Sequence, residues 1–233
     1  MSNVAIITAR GGSKRIPRKN IRSFLGKPII AYSIEVALQS ALFDEVMVST
    51  DDQEIAEVAH RYGASVPFLR SAATADDHAS TTDVLLEVLD NYESINRTFQ
   101  SLCCLYPTAP FVTSEVLSAA YQVLSDKPVD IVYPIQPFSF PIQRAFKFNN
   151  DLIAWAQPEA FLLRSQDLEA MYHDAGQFYW FDVAPLRQHR QLASLSAGGI
   201  IIDEMQAHDI DTEDDWKMAE FKYRLLHDTL TNE

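Results

Sequence analysis

The chain has 233 residues, 47% of them hydrophobic, and a formal net charge of -13. That length carries a full buried core as one domain or one domain with an appendage, and that composition excludes a disordered chain. The acidic balance argues against nonspecific nucleic-acid binding. The apolar runs are strand-sized and interrupted, with no hydrophobic leader or membrane span, so a cytoplasmic protein is expected.

The first apolar run predicts a strand over 3–8, which breaks at Ala9 into Arg10-Gly11-Gly12-Ser13-Lys14-Arg15-Ile16-Pro17-Arg18-Lys19-Asn20. No carboxylate precedes Glu35, yet Arg10, Lys14, Arg15, Arg18, Lys19, Arg22 and Lys27 are all cationic. Against an acidic background, these cations are expected to answer to an anion. Adjacent glycines let backbone N–H groups approach phosphate oxygens. A solvated basic loop is the alternative, but loops at the carboxyl end of a first parallel strand are where open α/β sheets bind ligands. Neither a G-x-G-x-x-G fingerprint nor a Walker A loop fits.

A helix is expected over 28–40 with Ile30, Ile34, Ala37 and Leu38 on one side, then a strand over 45–49 ending in Ser49-Thr50-Asp51-Asp52. Helices follow over 53–62, stopped by Gly63, and over 82–91, with a strand over 101–106 leading into Tyr106-Pro107-Thr108-Ala109-Pro110. Both polar loops fall at carboxyl edges; they either converge on one crevice or only form turns and caps. Cys103 and Cys104 point to opposite faces of their strand and are expected to be reduced core residues.

Ser114 is expected to cap a helix reaching 124, and a strand follows over 130–135. Residues 138–168 are expected to leave the sheet, with a hairpin of 145–148 and 152–156 turning at Asn149-Asn150-Asp151. A strand over 176–181 rejoins the sheet, and Thr212 caps a last helix carrying Trp216, Ala219, Tyr223 and Leu226 on one face. The alternation of strands and helices predicts an α/β fold around a parallel sheet.

In Asp209-Ile210-Asp211 two carboxylates two residues apart point the same way on an extended chain. Such a couple suits Mg²⁺, which takes one or two carboxylates plus substrate phosphates. Alternatively these acids favour the amino end of the last helix, as Asp214 and Asp215 do. No histidine spacing suggests zinc, and no nucleophile elbow appears.

The opening motif, Arg70 with Ser80 and Asp83, the Pro107-Thr108-Ala109-Pro110 turn, and Asp209-Ile210-Asp211 ahead of Asp215-Trp216 together resemble the CMP-sialic acid synthetase family of cytidylyltransferases. The resemblance spans essentially the whole chain. It implies a Rossmann-like, mostly parallel sheet of the nucleotidyltransferase type within a single domain over 1–233, with 138–168 as a protruding dimerisation segment of a homodimer. It implies transfer of CMP from CTP to the anomeric hydroxyl of a nine-carbon α-keto acid sugar. Arg10, Gly11, Gly12, Ser13, Lys14, Lys19 and Asn20 would hold the triphosphate, Arg70 and Ser80 the cytosine and ribose, and Asp209 and Asp211 Mg²⁺. Arg10, Lys14, Lys19 and Asp211 would carry catalysis.

Tyr106, Arg164, Gln166, His173, Asp174 and Gln177 are the candidates for the sugar. Typical sialic acid synthetases have Gln where Tyr106 stands and Asn-Gly where Asp174-Ala175 stands, so pseudaminic acid is expected ahead of N-acetylneuraminic or legionaminic acid. An idle CTP-binding regulator is the alternative of another class.

Overall fold

The computed structural model describes residues 2–76 and 79–228. In chain order the elements are β1 (Asn3–Thr8), β2 (Ser23–Phe24), β3 (Lys27–Pro28), α1 (Ile29–Ser40), β4 (Glu45–Ser49), α2 (Gln53–Arg61), α3 (Ala72–Ala75), α4 (Thr81–Ser94), β5 (Ser101–Leu105) and α5 (Ser114–Asp126). There follow β6 (Ile131–Pro137), β7 (Phe146–Asn149), β8 (Leu152–Trp155), β9 (Tyr172–Asp174), β10 (Phe178–Asp182), α6 (Val183–His189), β11 (Ala197–Ile201) and α7 (Glu213–Asp228).

The main sheet runs β11-β6-β10-β5-β1-β4, with β9 also paired to β6. β1 lies parallel to β4 and β5, and β11 parallel to β6, whereas β10 is antiparallel to both of its neighbours. The strands read as continuous apolar runs because both faces are covered. Ala5, Ile7 and Cys103 face one layer with Ile34, Val58 and Leu117, while Val4, Ile6 and Cys104 face Leu85, Leu89 and Leu186 on the other. Both cysteines are free and fully buried, and burial pushes the Cys104 thiol up to about 12.

Between β6 and β9 the chain leaves this sheet and forms the separate β7–β8 pair. Asn150 and Asp151 turn it with φ of 48° and 63°, a conformation that Asn and Asp tolerate better than most residues.

Three expectations need correction. Thr113, not Ser114, caps α5, its side chain accepting from the Val116 amide. Leu38 turns outward and is 44% exposed. The strands β2, β9 and β11 and the helices α3 and α6 stand where no element is expected. Thr212 does cap α7, exchanging bonds with Asp215: Thr212 Oγ1 accepts from Asp215 N at 3.2 Å, and Asp215 Oδ2 accepts from Thr212 N at 2.7 Å.

Candidate active site

At the carboxyl edge of β1 the chain enters the basic loop, and the loop is fixed from three directions. From within, the Asn20 side-chain amide donates to the Arg10 carbonyl at 2.9 Å. From the β4–α2 junction, Asp51 Oδ1 accepts from the Gly11 amide at 2.9 Å. From the last helix, buried Ile16 packs in one cluster with Phe24, Ile210 and Trp216.

Asp52 both caps α2, accepting from the Glu54 and Ile55 amides, and binds the Arg18 guanidinium. The bond from Arg18 is the largest influence holding the Asp52 carboxyl below its usual range. Ser49-Thr50-Asp51-Asp52 therefore caps and anchors.

The cations divide accordingly. Arg18 pairs with Asp52 and Glu54, Arg22 with Glu213 at 2.6 Å, and Lys27 with Glu35. The expectation that the whole basic run answers to one anion is corrected for these three, whose partners are the protein's own carboxylates. Arg10, Lys14, Arg15 and Lys19 line a cleft of about 430 Å³ with Ser13, Asn20, Tyr106, Pro107 and Thr108, and of these Arg15 and Lys19 also reach Asp211.

The two glycines also differ. A Cβ on Gly11 would stand 2.7 Å from Asp52 Oδ2 and 3.0 Å from Asp52 Cβ, whereas one on Gly12 meets nothing within 4 Å. Gly11 is thus required for the loop to lie against the α2 cap, and Gly12 faces open space. Gly11→Ala should cost ~1–3 kcal/mol in urea unfolding by forcing the loop off that cap, with Gly12→Ala much closer to wild type. Equal stability of the two variants would refute this account.

Beside the cleft, sharing Thr8 and Arg10 with it, lies a recess of about 230 Å³ lined by Arg70, Thr74, Asp76, Ala79, Thr81 and Val84. Arg70 donates from Nε to Ser49 Oγ at 3.1 Å and from Nη2 to the Ser49 carbonyl at 2.8 Å, which fixes its plane. Burial lowers its pKa. The Ser80 hydroxyl is committed to the cap of α4, accepting from Asp83 N at 3.1 Å and donating to Asp83 Oδ2 at 2.6 Å. Its neighbours Ala79 and Thr81 are the residues that line the recess.

Across the cleft stands the carboxylate couple. Ile210 is fully buried, while Asp209 and Asp211 on either side of it are more exposed. Arg15 Nη2 lies 2.7 Å from Asp211 Oδ1, and Lys19 Nζ lies 3.7 Å from it while donating to the Ile210 carbonyl at 2.6 Å. Partial desolvation, then the charge of Asp211, raises the pKa of Asp209. Two hard oxygen donors in mutual repulsion fit a divalent cation. No cluster of three or more metal-ligating side chains forms among the described residues, so such an ion would draw its other ligands from substrate and water, as Mg²⁺ commonly does.

The sugar candidates scatter more widely. Tyr106 lines the cleft, its amide donating to the Gln177 carbonyl at 2.9 Å. Gln177 is buried and braces the Gln206 carbonyl at 2.6 Å. His173 packs against Phe138, ring centroids 4.9 Å apart, over a separate hollow of about 510 Å³. Asp174 accepts from the Gly176 amide at 2.8 Å and from the Tyr179 hydroxyl at 2.6 Å. Arg164 pairs with Asp167 at 2.8 Å, and neither Arg164 nor Gln166 is among the cleft-lining residues.

The sequence points to no site role for Thr81 or Tyr179, and only their positions near Ser80 and Gln177 draw attention to them, whereas Arg15 belongs to the basic run from the start.

A doubly covered α/β sheet with a cationic cleft at its carboxyl edge and facing acids defines a protein of the nucleotidyltransferase type. The cytidylyltransferase family profile matches residues 4–225. The chain is 41% identical over 230 residues to the pseudaminic acid cytidylyltransferase of Campylobacter jejuni, covering 98% of this chain and 99% of that one. It is 34% identical to the CMP-N,N'-diacetyllegionaminic acid synthase of Legionella pneumophila, covering 99% and 100%. Among solved structures it resembles CMP:2-keto-3-deoxy-manno-octonic acid synthetase complexed with CTP, with a TM-score of 0.73, 20% identity and coverage of 97% and 100%. The chain belongs to the cytidylyltransferase family.

Proposed function

We propose that this enzyme transfers the cytidylyl group of CTP to the anomeric hydroxyl of a nine-carbon α-keto acid sugar, pseudaminic acid, releasing pyrophosphate. The carrying observation is the cleft lined by Arg10, Lys14, Arg15 and Lys19, two of which, Arg15 and Lys19, reach Asp211. The extent of the likeness to the Campylobacter relative favours pseudaminic acid as the acceptor.

Two anions must meet in this reaction, and a pair of unit charges 4 Å apart repels by ~4 kcal/mol at an effective dielectric of about 20. Arg10, Ser13 and Lys14 hold the triphosphate, with the open backbone at Gly12 alongside. Asn20 keeps the Arg10 carbonyl turned away, and Lys19 ties the loop to the chain at Ile210. Arg70, held flat against Ser49, receives the cytosine end in the recess, with Ser80 beside it. The sugar oxygen forms a bond to the α-phosphorus as the bond to the β-phosphate oxygen breaks, and the hydroxyl proton passes to water. Positioning and charge stabilisation suffice for such a transfer. Asp209 and Asp211 would hold Mg²⁺, which when bound neutralises phosphate charge and lowers the pKa of the attacking hydroxyl.

A panel of purified nonulosonic acids, each with CTP and in parallel with UTP or GTP, scored by pyrophosphate release, tests the assignment. Pseudaminic acid should have the highest kcat/KM; preference for N-acetylneuraminic or legionaminic acid would overturn the sugar, and preference for another nucleotide would overturn CTP.

Residues 138–168 form, in this reading, the interface of a homodimer. Phe148, Leu152 and Leu162 are 71%, 74% and 85% exposed there, apolar surface that a second copy would cover. The protein should sediment as a dimer, and Leu152→Glu with Leu162→Glu should give a folded monomer; a wild-type monomer would refute the interface. No described helix is long and apolar enough to cross a membrane, and the neighbouring free cysteines suit a reducing cytoplasm.

A further inference from the structure

Tyr106 and Asp174, far apart in sequence, meet through a third side chain. The Tyr179 hydroxyl donates to Asp174 Oδ2 at 2.6 Å, and the Tyr179 ring stands edge-on to Tyr106 with centroids 5.6 Å apart at 86°. Tyr133 closes the far side of Tyr179 at 5.2 Å, and Tyr179 itself is only 6% exposed. Tyr106 is the member of this group that lines the cleft.

The two carboxylate oxygens of Asp174 do different work. Oδ1 accepts from the Gly176 amide at 2.8 Å and closes a turn in which Gly176 has φ of +64°. Oδ2 takes the single proton of the Tyr179 hydroxyl. An ionised carboxylate is acceptor-only, so that hydroxyl has one orientation, and its ring is held against Tyr106. An amide at position 174 could still accept from Gly176, but its nitrogen would meet the phenol as a donor. The turn would survive, but the phenol could only accept in this contact, and its proton would be released from its single orientation.

We infer that Asp174 and Tyr179 are positioning residues that set sugar specificity indirectly, by fixing the Tyr106 wall of the cleft, and that Asp174 does not touch the sugar. This rests on the proposed function for the identity of the substrate and on the geometry alone for the coupling. The bond between Asp174 and Tyr179 acts as one determinant: removing it from either partner has the same effect as removing it from both.

The test uses the full chain with Asp174→Asn, Tyr179→Phe and the double variant. With CTP, magnesium and pseudaminic acid, each single variant should raise the KM for sugar about tenfold, the equivalent of roughly one hydrogen bond, with the KM for CTP unchanged within about twofold. The double variant should be no worse than the singles. Multiplying losses, or equal losses toward both substrates, would overturn the inference.

Ring-labelled tyrosine NMR of the unliganded protein supplies a readout independent of turnover. The Tyr106 signals should shift alike in Asp174→Asn and Tyr179→Phe, and unchanged Tyr106 signals in Asp174→Asn would overturn the coupling. A wild-type protein inactive on every nonulosonic acid but showing these shifts would sink the proposed substrate and leave the coupling standing.

Discussion

Asp211→Ala is expected to lower turnover by a hundredfold or more, on the order of what losing one preorganised charge-stabilising group costs an enzyme, while the protein stays folded. The geometry separates the two effects. Asp211 is the acid that Arg15 and Lys19 reach, so its removal takes away one of the two proposed metal ligands and leaves those cations without this carboxylate. Yet Lys19 keeps its bond to the Ile210 carbonyl, and buried Ile210 keeps its place in the aromatic cluster, so the backbone on both sides retains its anchors. Circular dichroism and urea unfolding should therefore match wild type, and Mn²⁺ binding followed by electron paramagnetic resonance should weaken. Near-normal turnover in saturating magnesium would strip Asp211 of the metal role.

Lys14→Ala should weaken CTP by about ten- to a hundredfold, the range set by one charge-assisted hydrogen bond, and leave sugar affinity within about twofold. Lys14 lies in the loop proper, on the cleft side of Ser13, whereas the sugar candidate Tyr106 enters from the end of β5. Calorimetric titration of each substrate separately checks this. Equal losses for both would contradict the assignment of the triphosphate to the loop.

The parts of this architecture that were legible in the amino-acid order are those governed by local rules. β1 and β4 fall where continuous apolar runs place them, and Thr212 caps α7 because a hydroxyl followed three residues later by an acid satisfies both exposed amides.

β11 was hidden because Gly198-Gly199 reads as a breaker. Its reason is tertiary: a Cβ at Gly198 would lie 3.0 Å from Val123 Cγ1 and one at Gly199 3.0 Å from Ile135 Cδ1, so small residues are what let the edge strand close on α5 and β6. α6 was hidden by Pro185, which sits in its first turn, where the missing N–H costs little. At the site, residue type announced a basic loop but could not tell which cations were already answered. Arg18 and Arg22 read on paper like any other cation of the run, and only the fold brings Glu54 and Glu213 against them. Arg164 and Gln166 were named by resemblance, and a single copy of the fold carries them on the excursion, away from the cleft-lining residues.

The bonds from Lys19 to Ile210 and from Arg22 to Glu213 each span 191 positions, and Trp216 lies beneath the same loop. Synthesis from the amino end therefore delivers the basic half of the centre long before its acidic half. A nascent chain stalled before Glu213 should already protect the amides of β1, β4 and β5 from exchange and still fail to retain CTP. Nucleotide capture by such a stalled chain would show that the loop needs no clasp from the closing helix.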